Sequence, residues 1–255
     1  MASIMPPTTT RLKANPHGSP RAATPKPEPP PPEISSWQDL GISVSAVTWD
    51  WERWLSPGFL HLLAARAGLG KSSLALRVAG CYLCGMDWPN GDAFIGQQGA
   101  VLWLEAESAQ ALNYQRAGRW GLPLDKILSP FADPLLDVNL GNPRHRQAIL
   151  AAAKREDVRL IILDSLSSAL PGRDENDSRI QEPVAWLATL ARDTGKPVLA
   201  CHHLRKRGQL DNDDAIDVDR LRGSSSIVQP PRIIWGLDTP DPAHAKSFLR
   251  LWDAY

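Results

Sequence analysis

The chain has 255 residues, and its 28 acidic and 28 basic side chains cancel. That length supports one α/β domain with a full core, and zero net charge excludes a global electrostatic case for nucleic-acid binding while leaving room for a local basic patch. Three cysteines, Cys81, Cys84 and Cys201, cannot make a disulfide framework and suit a reducing compartment. No apolar run reaches membrane-spanning length, and the first twenty residues lack the apolar core of a signal peptide. The expectation is a cytoplasmic protein without membrane contact.

The first 33 residues hold ten of the 23 prolines. Their "PKPEPPPPE" favours extended polyproline, which buries little surface. Residues 1–36 are therefore expected to form a disordered proline-rich tail, and 37–255 a single folded domain. A docking segment for a proline-reading partner is the other use of such a tail.

Beyond the tail, apolar runs alternate with helical patterns, the order of a mainly parallel sheet flanked by crossover helices. Residues 58–65 read as a strand and 71–83 as a helix. Residues 99–106 read as a second strand, followed by helices over 108–120 and 143–156. Residues 158–165 read as a third strand, and 178–194 as an amphipathic helix with Gly195 capping its C-terminus. Residues 196–203 read as a fourth strand. Late strands are expected over 226–237, with a proline-interrupted start, and over 246–255.

Between the first strand and helix lies "ARAGLGKS", residues 65–72. The P-loop pattern is Gly, four residues, then Gly-Lys-Ser/Thr. Gly70, Lys71 and Ser72 fit, but Ala65 stands where the first glycine belongs. In a P-loop, backbone N–H groups and the following helix N-terminus converge on phosphates, the lysine bridges the β- and γ-phosphates, and the hydroxyl binds Mg²⁺. The candidate ATP-binding residues are Ala67, Gly68, Leu69, Gly70, Lys71, Ser72 and Ser73. Ala65 adds one methyl group, which costs little if its φ is negative.

About ninety residues downstream, an apolar strand ends in Asp164, the placement of a Walker B aspartate behind Mg²⁺. Ser165, not glutamate, follows it, so the water-orienting base must come from elsewhere. Glu105 and Glu107 end a strand expected to neighbour the P-loop strand, and either carboxylate could orient water. His202 and His203 end another strand, where a polar side chain could sense the γ-phosphate. Adjacent strand residues point to opposite faces, which weakens a metal site built from Cys201 and both histidines. The Cys81–Cys84 pair lacks a matching second pair for zinc, so core packing is the default. Trp49, Trp51 and Trp54 offer either a base-stacking platform or core packing.

These blocks, in order, resemble the RecA-like ATPases of the plasmid RepA replicative helicase family, relatives of DnaB-type helicases, from about Val47 to Trp235. The similar segments are the tryptophan-rich approach with its P-loop, "GMDWPNG", "VLWLEAES", "LIILDSLSSAL" with "DENDSRI", "CHHLRKRG" and "LRGSSSIVQPPRIIW". The resemblance implies a RecA-like P-loop core that hydrolyses ATP with Mg²⁺ as a hexameric ring on single-stranded DNA. It places the catalytic glutamate on Glu107 rather than Glu105, the γ-phosphate sensor on His203, a trans-acting arginine finger on Arg232 and a further nucleotide-site arginine on Arg116. Arg222 opens the Arg-Gly-Ser-Ser block. Arg205, Lys206 and Arg207 would line the ring's channel and contact DNA. A primase or initiator is the partner such a tail could recruit.

Three departures stand out: Ala65, Ser108 in place of an acid after Glu107, and the prolines before Arg232. The chain also stops inside a predicted strand, where family members continue. A DNA-independent regulatory or partner-loading ATPase on the same core is the alternative reading, and a non-hydrolysing nucleotide-binding scaffold is a third.

Overall fold

A computed structural model describes residues 34–43, 47–170, 180–204, 225–238 and 248–253. The chain divides into two compact units, Met1–Ser45 and Ala46–Tyr255. In the first, helix α1 spans Trp37–Ser43. Ser36 starts it: its hydroxyl accepts the Asp39 amide at 3.1 Å, while Asp39 Oδ2 accepts the Ser36 amide at 3.2 Å. This reciprocal pairing satisfies two of the donors a helix start leaves open.

In the second unit, β1 (Leu60–Ala65) leads into α2 (Lys71–Cys84). Strand β2 (Ala100–Glu105) leads into α3 (Gln110–Arg119), and a 3₁₀ turn at Leu124–Lys126 precedes the short β3 (Ile127–Leu128). Then come α4 (Pro143–Ala153), β4 (Val158–Asp164), α5 (Gln181–Thr194) and β5 (Val198–His203). Helix α6 (Ser225–Val228), β6 (Ile233–Asp238) and β7 (Phe248–Asp253) complete the order. Local chemistry sets several ends. Gly85 and Gly195 cap α2 and α5 in left-handed conformations, at φ 69° and 65°. Asn142 accepts the Arg144 amide at 3.0 Å, with Pro143 beginning α4.

The sheet runs β3-β2-β4-β5-β1-β6-β7. Neighbours from β3 to β6 pair in parallel, and β7 joins β6 antiparallel. This is the α/β P-loop core expected. Two local expectations need correction. Strand β2 does not neighbour the P-loop strand: β1 lies between β5 and β6, and β2 pairs with β4. All these strands are apolar runs, so periodicity cannot order them. The late strand also begins at Ile233, because residues 225–228 are helical and the prolines at 230 and 231 cannot donate to a ladder.

Both faces of the sheet are covered, and the period of two divides each strand between two cores. Leu60, Leu62, Ala64, Ile161, Leu163, Val198 and Ala200 pack on the side of α4 and α5. Leu63, Val101, Trp103, Leu160, Ile162, Leu199 and Cys201 pack with α2. Trp51, Trp88, Trp103 and Trp235 belong to this second core. Trp51 stacks on Trp88 with centroids 4.9 Å apart and meets Trp235 edge-on at 5.4 Å. Of the three tryptophans before β1, Trp51 is buried in this core, and Trp49 and Trp54 are partly buried and packed against it, which favours packing over a base-stacking surface. Among the described residues, no helix is long and apolar enough to cross a membrane.

His61 on β1 is fully buried. Its Nε2 accepts the Ser56 amide at 3.1 Å, which leaves Nδ1–H to donate to the Val198 carbonyl at 3.3 Å. Burial pushes its pKa down to about 4. The folded protein therefore holds a neutral ring where the unfolded chain takes a proton near the ordinary value of 6.5. The ring's contribution is complete above that value and is lost as pH falls through about 4. Urea unfolding should show about 3 kcal/mol of this loss between pH 7 and 4. His61→Gln should flatten that part of the profile relative to the parent protein.

Candidate nucleotide site

The parallel strands end together at one edge of the sheet. Ala65 lies opposite His203, and Glu105 opposite Asp164. Side-chain parity then selects the chemistry. Asp164 follows Leu160 and Ile162 on the α2 face, His203 follows Leu199 and Cys201 there, and Glu105 follows Val101 and Trp103. His202 points to the other face, where its Nδ1 meets Ser167 Oγ at 3.1 Å. Ligands of open α/β sheets bind at this strand edge.

Residues Arg66 to Gly70 turn from β1 into α2. Gly68 and Gly70 have φ of 80° and 88°, a left-handed backbone that glycine adopts without strain. A Cβ at Gly68 would meet nothing within 4 Å, so conformation and not space requires glycine in the bare loop. Ala67 and Leu69 stand beside these glycines, and Ser73 lies in the first turn of α2 with Ser72. Ala65 is the last residue of β1, fully buried, and its carbonyl accepts the Leu204 amide at 3.0 Å. Its φ is not positive, so the position makes no demand that only glycine meets.

The Lys71 ammonium lies 3.5 Å from the Arg66 carbonyl oxygen and 3.1 Å from His203 Nδ1. Burial lowers its pKa, opposed by the carboxylates of Glu107 and Asp164. Because the ammonium donates to Nδ1, the neutral His203 ring carries its proton on Nε2. That nitrogen donates to Glu107 Oε1 at 3.1 Å. The Ser165 hydroxyl donates to the same Oε1. These bonds, His203 first, hold the Glu107 carboxyl down at about 2.

Glu105, the other candidate, has a different task. Its Oε1 accepts the amides of Glu107 at 3.0 Å and Ala109 at 3.3 Å. Its Oε2 accepts Trp103 Nε1 at 3.3 Å and Asn113 Nδ2 at 3.1 Å. A buried carboxylate with four donors caps the start of α3, where the helix dipole favours negative charge. Ser108 follows Glu107 at φ 54°, and its amide donates to Asp137 Oδ1 at 3.1 Å. Asp137 thus puts a carboxylate beside Ser108, across space.

Asp164 is buried, and neither carboxylate oxygen has a hydrogen-bond partner among the described residues. Desolvation pushes its pKa up, and the nearby Ser72 hydroxyl works against that rise. An unpartnered buried carboxylate beside a P-loop hydroxyl and an ammonium fits a hydrated Mg²⁺ with a triphosphate. Ser72 and Asp164 would hold the ion, and Lys71 with the loop amides the phosphates. Bound there, Mg²⁺ would offset phosphate charge.

Other sequence-derived candidates are not brought to this cluster. Arg116 on α3 donates to Asn113 Oδ1 at 3.2 Å, one link behind Glu105. Arg232 precedes β6 at the opposite end of the sheet, where its amide donates to the Leu60 carbonyl at 3.0 Å. The length of β1 separates it from its own P-loop by roughly 17 Å. It shares a groove there with Arg192 of α5. Arg205, Lys206, Arg207 and Arg222 lie outside the described residues. Sequence reasoning passed over two residues. Ser165 registered only as the absence of a glutamate, and Asp137 gave no signal, since both act across strands whose adjacency the sequence does not state.

The loop, the buried lysine and the two carboxylates define an α/β P-loop ATPase-type domain. The chain belongs to the AAA domain family, whose model matches residues 24–209. Among curated proteins, none matches the chain.

Ala65→Gly should leave ATP affinity within about twofold and lower stability by about 1 kcal/mol, from lost packing and added chain freedom. Calorimetric titration and urea unfolding read the two effects. The glutamates should divide by role. Glu105→Ala, which strands four donors, should cost about 2–3 kcal/mol. Glu107→Ala should abolish hydrolysis, and it also removes the acceptor of the Ser165 and His203 bonds.

Proposed function

We propose that this chain is an ATP-driven RecA-like motor of the RepA replicative helicase type, working on single-stranded DNA as a hexameric ring. The observation that carries the reading is the continuous path Lys71–His203–Glu107. It joins the group that would meet the γ-phosphate to the carboxylate that would orient water. In hydrolysis the water oxygen bonds to the γ-phosphorus and the bond to the β–γ bridging oxygen breaks. The water proton leaves toward Glu107 or the phosphate, giving ADP and inorganic phosphate. His203 is also the last residue of β5. The basic segment Arg205, Lys206 and Arg207 follows it directly, so loss of phosphate at the site would be felt where DNA is proposed to bind.

Arg232 supports assembly. Too far from its own P-loop, it can serve catalysis only at a neighbour's, where an arginine in trans contributes about 10³–10⁵ in rate. A primase or initiator fits as the partner of the proline-rich tail.

Steady-state ATP hydrolysis should rise several-fold with single-stranded DNA and vanish in Lys71→Ala. Neutralising Arg205, Lys206 and Arg207 together should weaken DNA binding and flatten its salt dependence while basal hydrolysis persists. Turnover indifferent to DNA would replace the motor with a regulatory or partner-loading ATPase. Strand displacement on a forked duplex tests the helicase step itself.

A further inference from the structure

We propose that Ser165 is the positioning residue for Glu107, and that it works by occupying one carboxylate oxygen so that the other faces the attacking water. The inference rests on the ATPase reading above and adds a residue to it.

The backbone around Glu107 is held on both sides. The Ala106 amide donates to the Asp164 carbonyl at 2.8 Å, the Glu107 amide to Glu105, and the Ser108 amide to Asp137. The side chain still has rotatable bonds, and two further contacts fix its end. The Ser165 hydroxyl and His203 Nε2 both donate to Oε1. Among the described residues no donor reaches Oε2, and the side chain keeps 31% of its surface exposed. One oxygen is therefore anchored within the protein, and the other, on a partly exposed side chain, takes no hydrogen bond from a described residue.

The two anchors differ in permanence. His203 is bonded to Lys71 through its other ring nitrogen. A triphosphate that draws the lysine ammonium away changes what His203 can do. Ser165 is fully buried at the end of β4, and its carbonyl accepts the Ala169 amide at 3.0 Å. Its hold on Glu107 does not pass through the lysine. A glutamate placed by Ser165 keeps its aim while His203 responds to nucleotide. Orientation of this kind matters because a misplacement of about 1 Å can cost about 100-fold in rate.

The test uses the full-length chain and the variants Ser165→Ala and Ser165→Thr. Ser165→Ala should lower kcat by about 10- to 100-fold, with KM and the affinity for a fluorescent ATP analogue within about twofold. Ser165→Thr, which keeps the hydroxyl, should restore most of the loss. In nucleotide-free protein, the ¹³C carboxyl resonance of Glu107, assigned by its disappearance in Glu107→Gln, should titrate at higher pH in Ser165→Ala than in the parent or Ser165→Thr. Parallel loss of kcat and nucleotide affinity, or an unmoved Glu107 titration, would overturn the proposal. If the parent shows no turnover, the motor reading falls but the titration still decides this one. A raised midpoint restored by threonine sustains the placement of Glu107, and an unchanged midpoint ends it.

Discussion

A lysine ammonium buried at the edge of a sheet is the constraint around which this site is organised. Lys71 retains only 6% of its surface, and desolvation works against its charge. Among the described residues it is met by the Arg66 carbonyl, a His203 nitrogen and the nearby charges of Glu107 and Asp164. That leaves the ammonium incompletely satisfied, an arrangement a triphosphate completes. Asp164 is the mirror image: a buried carboxylate without a hydrogen-bond partner among the described residues, which a cation completes. Cation and anion are each costly alone, and a nucleotide with its metal bridges the two.

The two glutamates at the end of β2 show how environment assigns role to identical chemistry. Glu105 has its acceptor capacity spent on Trp103, Asn113 and two amides. It is part of the architecture of the α3 start. Glu107, two residues on, lies past the strand, and among the described residues its side chain takes hydrogen bonds from His203 and Ser165. The first positions the second through the Glu107 amide. Substitution of the P-loop's first glycine by Ala65 falls on the same side of this division. The residue sits in strand geometry, and the left-handed conformations the loop needs fall on Gly68 and Gly70.

The chain's balanced charge also becomes intelligible in the fold. Two of its basic groups matter for the site: Lys71 at one edge of the sheet and Arg232, which shares a groove with Arg192, at the other. Parallel strands separate these edges by the full length of β1. A single copy cannot bring them together, whereas head-to-tail neighbours can. The physical case for assembly in the proposed ring is this separation, joined to the need for positive charge where the γ-phosphate leaves.

By itself, the sequence determined the α/β class, the placement of β1, α2, β2, β4, α5 and β5, the P-loop with Lys71 and Ser72, and Asp164 at a strand end. Each is a local property: runs of apolar residues, glycine where φ must be positive, a helix cap at Gly195. Which strands lie side by side was not legible, because buried parallel strands are uniformly apolar and carry no mark of their neighbours. The expected β1–β2 adjacency failed for that reason. Everything that depends on adjacency came only with tertiary structure: the spent state of Glu105, the Ser165 and His203 contacts to Glu107, Asp137 beside Ser108, and the distance of Arg232 from its own P-loop. Spacing along the chain says which chemistry is present, but hydrogen bonds act over about 3 Å, and only the folded sheet decides which of those groups come that close.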